Sequence, residues 1–422
     1  MERESRVMRR TPTLVGAALL ATALVATACG GDAGDGKTRI TIGLFGNFGY
    51  QQLFEEYEKA HPDIDITDRT ASYSDHHKNL AAHLATNNGA ADIEAVDVGY
   101  INQFKANPGQ FVELGAELKD RWLDWKWEGS LSKDGKQIGY GTDIGGLAIC
   151  YRRDLFEAAG LPTDRDQVSA LWPTWEQFMA TGKQFAAKAP AGAKFFDGGP
   201  TVLNAIVGQA PTGYYDKSDK IVVGDNADIK KGWSLVSQGV ADGLSAGLLY
   251  STPAWNTGFK QGQFATLACP AWMMAKIKDQ APETSGKWDL AAVPGGGGNW
   301  GGSYLTVPKQ GKNTDKAVAL AAWLTAPEQQ AKVFANAGLL PSTPKLYSEQ
   351  SVAQKADPFF NNAPVGKVFT DAARALKPQY QGPKAGDVQT EIGNAMQRVE
   401  QGKQSPDESW NQFVGDVKRL ED

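Results

Sequence analysis

The amino-acid sequence predicts an α/β fold with more than one domain. Short strand-like runs alternate with amphipathic helical segments along the chain, which is the pattern of sheets covered by helices. A length of 422 residues is enough for two or three domains. The composition, 41% hydrophobic and 22% charged, is that of a globular protein, and a mean hydropathy of −0.38 excludes a multi-span membrane protein.

The N-terminal segment has the pattern of an export signal. Arg6, Arg9 and Arg10 precede an uncharged run of small and apolar residues that extends from 11 to 28. A basic head followed by a short apolar run is typical of a secretory signal, which we place at residues 1–28. The Arg pair leaves open whether export follows the general or the twin-arginine route.

Cys29 follows this run and opens a stretch rich in Gly and Asp. The preceding letters LVATA resemble a bacterial lipobox, with Ala26 where Leu is usual. We predict that Cys29 is diacylated and that residues 29–36 form a flexible tether. The alternative is ordinary signal cleavage with an incidental Cys29. The mature protein is then expected at the extracytoplasmic face of the cell membrane, held there by its lipid.

The next part of the chain shows strand–helix units in succession. One helix follows from the spacing of Leu53, Phe54 and Tyr57, which share a face. Strands separated by helices predict a parallel sheet with helices on both faces. The predicted strands are 39–45, 64–67 and 93–98, and the predicted helices are 50–60 and 76–86.

The same alternation returns later, with two expected capping boxes. Thr174 with Gln177 opens one helix, and Thr325 with Glu328 is predicted to open another. A strand at 304–307 and a helix at 314–324 precede the second box, and the chain from 365 to 420 is mainly helical.

Two cysteines remain beyond Cys29. Cys150 and Cys269 each end an apolar, strand-like run. In an oxidising compartment they either form a disulfide or stay as two buried thiols, and the residues alone leave both options open.

Enzyme and metal motifs give no coherent site. Residues 243–247 fit G-x-S-x-G, but all four His precede this Ser, so the hydrolase order is impossible. The G-x-G-x-x-G match at 296–301 precedes a strand rather than a helix. His76 and His83 would share a helical face, but without Cys nearby they are expected to be solvated rather than metal ligands. We therefore predict no cofactor and no metal.

The net charge and the carboxylates bear on two remaining classes of function, nucleic-acid binding and glycoside hydrolysis. A formal net charge of −5 argues against nucleic acid as a partner. The two carboxylates of a glycoside hydrolase need no fixed sequence spacing, so a secreted glycoside-active enzyme stays an alternative.

Aromatic and short polar residues stand together in predicted loops. Such loops converge at the carboxyl ends of strands, where rings stack on a sugar and polar groups bind its hydroxyls. We assign Trp175, Trp233 and Trp323, on helices, to the core. The candidate ligand-binding residues are Asn47, Tyr73, Asp97, Asp143, Trp255, Trp272, Trp300, Gly301 and Tyr380.

Five segments occur in a characteristic order. They are TDIGGLAICYRRDLFEAAGLP at 142–162, WPTWEQF at 172–178, QGQFATLACPAWM at 261–273, WGGSYLTVPKQGKN from 300, and GLLPSTP at 338–344. With them the chain resembles the extracellular solute-binding proteins of carbohydrate ABC importers, the group that includes maltose-binding protein. The tail from 366 resembles actinobacterial members that bind cello-oligosaccharides.

This resemblance implies a two-lobed fold with hinge segments and a ligand cleft between the lobes. The first lobe would comprise 37–142 plus 303–343, and the second 143–302 plus 344–422. Asp143 would lie at one crossing between lobes and Trp300 with Gly301 at the other, while Trp272 would stack on sugar.

The implied function is capture of an oligosaccharide, with a cello-oligosaccharide or related glucoside favoured, and its delivery to an ABC permease. The protein would be a monomer that carries out no chemistry. Besides the glycoside-active enzyme, a binding protein for a non-sugar solute is the alternative.

Overall fold

A computed structural model describes residues 36–420, and the chain from Thr38 onward forms one compact unit. The predicted signal at 1–28, Cys29 and the predicted tether up to residue 35 lie outside the described residues. Within 36–420, no helix has both the length and the apolar character that crossing a bilayer requires.

The described residues form eleven strands, seventeen α-helices and five short 3₁₀ turns. The strands are β1 Thr38–Leu44, β2 Ile64–Thr70, β3 Ile93–Asp97, β4 Gly139–Gly141, β5 Asp143–Ile144, β6 Leu147–Arg152, β7 Lys194–Phe196, β8 Phe264–Pro270, β9 Trp288–Ala291, β10 Ser303–Thr306 and β11 Leu340–Pro341. The helices are α1 Gln51–Ala60, α2 Tyr73–Thr86, α3 Ile101–Lys105, α4 Asp124–Gly129, α5 Arg153–Ala158, α6 Arg165–Leu171, α7 Trp175–Ala186, α8 Gly199–Val207, α9 Ala227–Ala241, α10 Pro253–Gln261, α11 Met273–Gln280, α12 Thr314–Leu324, α13 Pro327–Ala337, α14 Gln350–Ala353, α15 Val365–Ala375, α16 Ala385–Glu400 and α17 Pro406–Lys418. The 3₁₀ turns are Pro108–Gln110, Ala116–Arg121, Pro282–Thr284, Pro344–Ser348 and Pro358–Phe360.

The first sheet has the strand order β2-β1-β3-β10-β4. The strand β1 runs parallel to β2 and β3, as predicted, whereas β10 runs antiparallel to β3 and β4. The expectation of a wholly parallel sheet is therefore wrong. The reason is that β10 enters this sheet after the chain has passed through the second sheet, so no helical crossover fixes its direction.

The second sheet has the order β7-β8-β6-β9 and is also mixed. Its central strands β6 and β8 are antiparallel, and β7 runs parallel to β8. The structure joins Cys150 and Cys269 on these two central strands in a disulfide, with 5.4 Å between their Cα atoms.

The protein has a two-lobed α/β fold, one lobe around each sheet. In the first lobe, Ile40, Ile42 and Leu305 pack with residues of α1 and α12. In the second, β6 packs against α7, α8 and α16 through residues such as Ile149. A short ribbon of β5 and β11 stands where the chain crosses between the lobes. The predicted lobe boundaries at 142, 302 and 343 stay a prediction.

Local sequence signals give mixed results. The helix at 314–324 and the capping box at Thr174 are confirmed: Gln177 N–H donates to Thr174 Oγ1 at 3.3 Å. The second capping box is wrong, because the hydroxyl of Thr325 donates back to Ala321 O at 2.8 Å and Ala326 stands at the N-cap. Pro327 in the first turn of α13 starts that helix without a side-chain cap.

Candidate functional site

Two chain crossings meet where the lobes join. At one crossing stands β5 with Asp143; at the other, residues 300–302 lead into β10. Their backbones bind each other: Trp300 N–H donates to Gly145 O at 2.9 Å, and Ser303 N–H donates to the Asp143 carboxylate at 3.0 Å. The crossings thus bring Asp143, Trp300 and Gly301 together, as the resemblance to the solute-binding proteins implies.

A second carboxylate, Asp97, stands at the carboxyl end of β3 beside this junction. Its side chain is only 6% exposed, and Oδ1 accepts from Gly99 N–H at 2.8 Å and from the Tyr73 hydroxyl at 3.0 Å. Burial raises the pKa of Asp97 to about 6, against the effect of these hydrogen bonds. Tyr73, at the start of α2, is partly exposed, so the buried Asp97 is hydrogen-bonded to a residue that reaches the surface.

Aromatic rings of the second lobe line the same junction. Trp272 donates from Nε1 to Trp300 O at 2.9 Å, and the two ring centroids are 5.5 Å apart at an interplanar angle of 84°. Both rings are partly buried. The sequence analysis did not select Tyr250. Its ring centroid lies 5.6 Å from that of Trp300 and 6.2 Å from that of Trp272. Tyr250 follows two apolar residues in a loop bounded by Gly and Pro, so the search for aromatic residues in predicted loops could have found it.

Lys126 of α4 is the other residue that the sequence analysis missed. Its side chain is fully buried, and Nζ lies 4.1 Å from the centroid of the Tyr304 ring. Burial lowers the pKa of Lys126 to about 8, while the charges of Asp143 and Asp97 act in the opposite direction. A lysine flanked by two Trp residues carries no signal that would separate it from a surface lysine.

Trp255 differs from its predicted place. It lies in the first turn of α10 rather than in an irregular loop, is 0% exposed, and donates from Nε1 to Asp197 at 2.7 Å. Its ring packs against Tyr250 and Phe259 in the core of the second lobe. The structure therefore places Trp255 behind the junction. Thr252 caps this helix and Pro253 stands in its first turn, a helix-start signal that the sequence analysis did not use.

Two further candidates hydrogen-bond to groups other than Asp97 and Asp143. Asn47 is exposed after β1, and its Oδ1 accepts from Gly49 N–H at 2.9 Å, a turn contact. Tyr380 is partly buried, and its hydroxyl donates to Asp219. Asp219 also pairs with Lys133 of the first lobe at 2.9 Å, so Tyr380 belongs to an edge where the lobes touch.

The histidines of α2 are not arranged as metal ligands. His76 is buried, with Nε2 2.7 Å from Ala95 O, so the expected solvation of this residue is wrong; α2 packs it against β3. Among residues 36–420, no three His, Cys, Asp or Glu side chains are grouped to hold a metal ion.

Comparison with known proteins identifies the family. The model for the bacterial extracellular solute-binding proteins matches residues 49–331. The chain belongs to this family. A crystal structure described as an extracellular solute-binding protein of family 1 is 46% identical, covers 90% of this chain and 99% of its own, and superposes with a TM-score of 0.80.

One more distant solved structure shares the fold of this solute-binding protein, and one curated relative matches part of its sequence. The binding protein from B. animalis subsp. lactis Bl-04, solved with β-1,6-galactobiose, is 17% identical with a TM-score of 0.78, and the match covers 90% of this chain and 97% of the other. The arabinooligosaccharide-binding protein of Halalkalibacterium halodurans is 21% identical over 63% of this chain, and the match spans 60% of the relative's length.

Proposed function

We propose that this solute-binding protein captures an oligosaccharide between its lobes and delivers it to an ABC permease. Support comes from one juxtaposition: the buried acceptors Asp97 and Asp143 stand beside the partly buried rings of Trp272 and Trp300. Carboxylates accept hydrogen bonds from sugar hydroxyls, and indole faces pack on the apolar C–H face of a sugar ring. The relatives solved or named with oligosaccharides are consistent with this class of ligand.

Within that class we favour a cello-oligosaccharide or related glucoside. The proposed contacts are the four residues above with Tyr73, Gly301 and Tyr250. Trp255 supports them from the core, and Tyr380 and Asn47 act at the edges. The protein closes on its ligand by hinge motion and carries out no reaction on it.

A panel of purified oligosaccharides tests the ligand class. Cello-, malto- and arabino-oligosaccharides and galactobiose are each added to the protein, and the melting temperature is measured. A ligand at 100 times its Kd stabilises the native state by about 2.7 kcal/mol, so binders separate clearly from non-binders. A shift with amino acids, peptides or polyols and with none of the sugars would contradict the proposal. Cleavage products after incubation would identify a glycoside-active enzyme instead.

We also propose that the protein is a lipid-anchored monomer. The support is the sequence pattern at Cys29, since membrane delivery of the ligand requires retention near the permease. Replacing Cys29 with Ser is expected to release the protein from the membrane fraction into the medium. Equal membrane retention of both forms would show that Cys29 is not the attachment site.

A further inference from the structure

Lys126 is a buried lysine at the junction where the two chain crossings meet. Its Nζ has no hydrogen-bond partner among the described residues, although three donors are available on an ammonium. The aromatic faces of Tyr304, at 4.1 Å, and Trp125, at 5.8 Å, lie beside it. Cation–π contact alone compensates only part of the cost of burying a charge, so nearby opposite charges favour the protonated form of this lysine.

The backbone leaves space for this side chain at two glycines. At Gly302, where φ is +105°, a Cβ atom would lie 3.1 Å from Lys126 Nζ and 2.7 Å from Asp143 O. At Gly141, a Cβ atom would lie 2.9 Å from Lys126 Cγ. Both chain crossings are therefore built closely around the lysine, which places its charge at the junction rather than at the surface.

The charges that act on Lys126 are those of the two site carboxylates. Asp143 has the larger effect and Asp97 the smaller. Two carboxylates that share one low-dielectric site repel each other, and without a cation one of them tends to take up a proton. A protonated carboxyl is a donor as well as an acceptor, so the hydrogen bonds that it offers a ligand change.

We propose that Lys126 is a positioning residue that keeps Asp97 ionised beside Asp143, so that the cleft presents only acceptors to a neutral, hydroxyl-bearing ligand. The ligand part of this inference rests on the proposed function. The charge part concerns the protein without ligand.

The other groups around Asp97 do not supply a compensating charge. His77 accepts from Asp97 N–H at 3.0 Å, and burial lowers the pKa of His77 to about 3, so the ring is neutral. Burial raises the pKa values of the nearby phenols, which therefore stay neutral as well. These phenols are Tyr73, Tyr100, Tyr250 and Tyr304. Next to Asp143, Tyr50 is a further neutral phenol, since burial raises its pKa.

The test compares Lys126→Met with a matched control, Lys355→Met. Lys355 is a half-buried lysine that donates to Ala335 O, away from the two carboxylates. The free energy of unfolding of each ligand-free protein is measured between pH 5 and 7.5, below the pKa of Lys126. Loss of the cation raises the pKa of Asp97, so the titration midpoint attributed to Asp97 is expected to rise by about one pH unit or more in Lys126→Met only.

Affinity provides the second measurement, with the sugar from the panel that binds the wild type. Lys126→Met should weaken binding at least about tenfold at pH 6.5 and regain part of it at pH 8, because a higher pH ionises Asp97 again. A purely structural lysine would weaken binding by the same factor at every pH. Parallel stability profiles for Lys126→Met and wild type would overturn the inference.

The outcomes separate the two proposals. If no sugar binds the wild type, the proposed function fails. The ligand-free stability profile still shows whether Lys126 controls the ionisation of Asp97. If Lys126→Met does not fold, Lys126→Met combined with Asp97→Asn should fold, because it removes the unbalanced charge. Failure of that double variant to fold would also overturn the inference.

Discussion

Trp272 and Trp255 follow similar Pro-Ala dipeptides in the sequence and occupy different environments. Trp272 stands at the end of β8, partly buried, and contacts both the first and the second lobe. Trp255 is enclosed and bound to the buried Asp197. The first ring can therefore meet a ligand, and the second can only stabilise the lobe that carries it.

The two tryptophans should separate binding from stability. Trp272→Ala is expected to weaken oligosaccharide binding at least about tenfold and to cost less stability than Trp255→Ala. Trp255→Ala removes a fully buried ring and should cost about 3–5 kcal/mol of unfolding free energy, with little change in affinity. Urea unfolding and calorimetry on both variants make the comparison. The opposite pattern would place the ligand contact at Trp255.

Asp97 should make stability and affinity respond oppositely to pH. Its pKa is raised in the folded state to about 6, so its contribution favours the folded state at low pH and is lost as pH rises through 6. Ligand binding needs the ionised acceptor and should strengthen over the same range. Asp97→Asn is expected to remove this part of both profiles. Because Glu94 and Asp197 also have raised pKa values, the difference between wild type and variant is the quantity to follow.

At the residue scale, the ligand-binding roles of the candidate residues stay predictions, while the structure brings three of the candidates together. Asp143, Trp300 and Gly301 meet as expected. Lys126 could not be found, because its role depends on burial between segments that are adjacent only after folding. Trp255 and Trp272 both follow Pro-Ala in the sequence, so this local position could not tell the enclosed ring from the ring at the junction.

The crossing segment before β10 depends on a backbone conformation that few residues adopt. Gly302 has φ +105° and its N-terminal neighbour Gly301 has φ +90°. Gly302→Ala should cost more stability than the matched control Gly402→Ala, which also has positive φ but has no atom within 4 Å of the added Cβ. The control is expected to lose about 1–2 kcal/mol from backbone strain alone. Equal losses would show that the space around Gly302 adapts to the added carbon.

The disulfide belongs to the second sheet alone. It closes a sequence separation of 119 residues between β6 and β8. Cys150→Ala combined with Cys269→Ala is expected to lower the free energy of unfolding by about 2–4 kcal/mol, because the unfolded chain regains conformational freedom. Ligand affinity should change little, since both sulfurs lie in the interior of one lobe. Unfolding curves that do not respond to the substitutions would show that the bridge contributes nothing.

Several elements with a strong local signal and the parallel pairing of β1 with β2 and β3 were predicted correctly, whereas the place of β10 was not. The capping box of α7 needs only residues 174–177, and it formed as expected. The direction of β10 depends on a path of more than 150 residues through the second lobe. A local sequence pattern therefore cannot predict this direction. The two-lobed arrangement followed from the family resemblance rather than from periodicity.

The two lobes of the whole molecule also touch at an edge away from the crossings. Gly386 N–H, at the start of α16, donates to Gly99 O at 3.0 Å. In addition, Asp219 accepts from Lys133 of the first lobe and from Tyr380 of the second. Under the proposed closure on a ligand, these contacts between the lobes add to the stability of the closed form.

Lys133 should therefore affect affinity without affecting the stability of either lobe. Its side chain is 90% exposed, and exposed ion pairs contribute about 0–1 kcal/mol, so Lys133→Ala is expected to weaken binding by up to about fivefold. The matched control is Lys136→Ala in the same loop, because Lys136 pairs with Asp134 within the first lobe. Calorimetry at low and high salt makes the comparison: the difference between the two variants should shrink at high salt, where exposed charges are screened. Equal affinities at low salt would mean that this edge does not stabilise closure, and that the crossings and the ligand alone hold the lobes together.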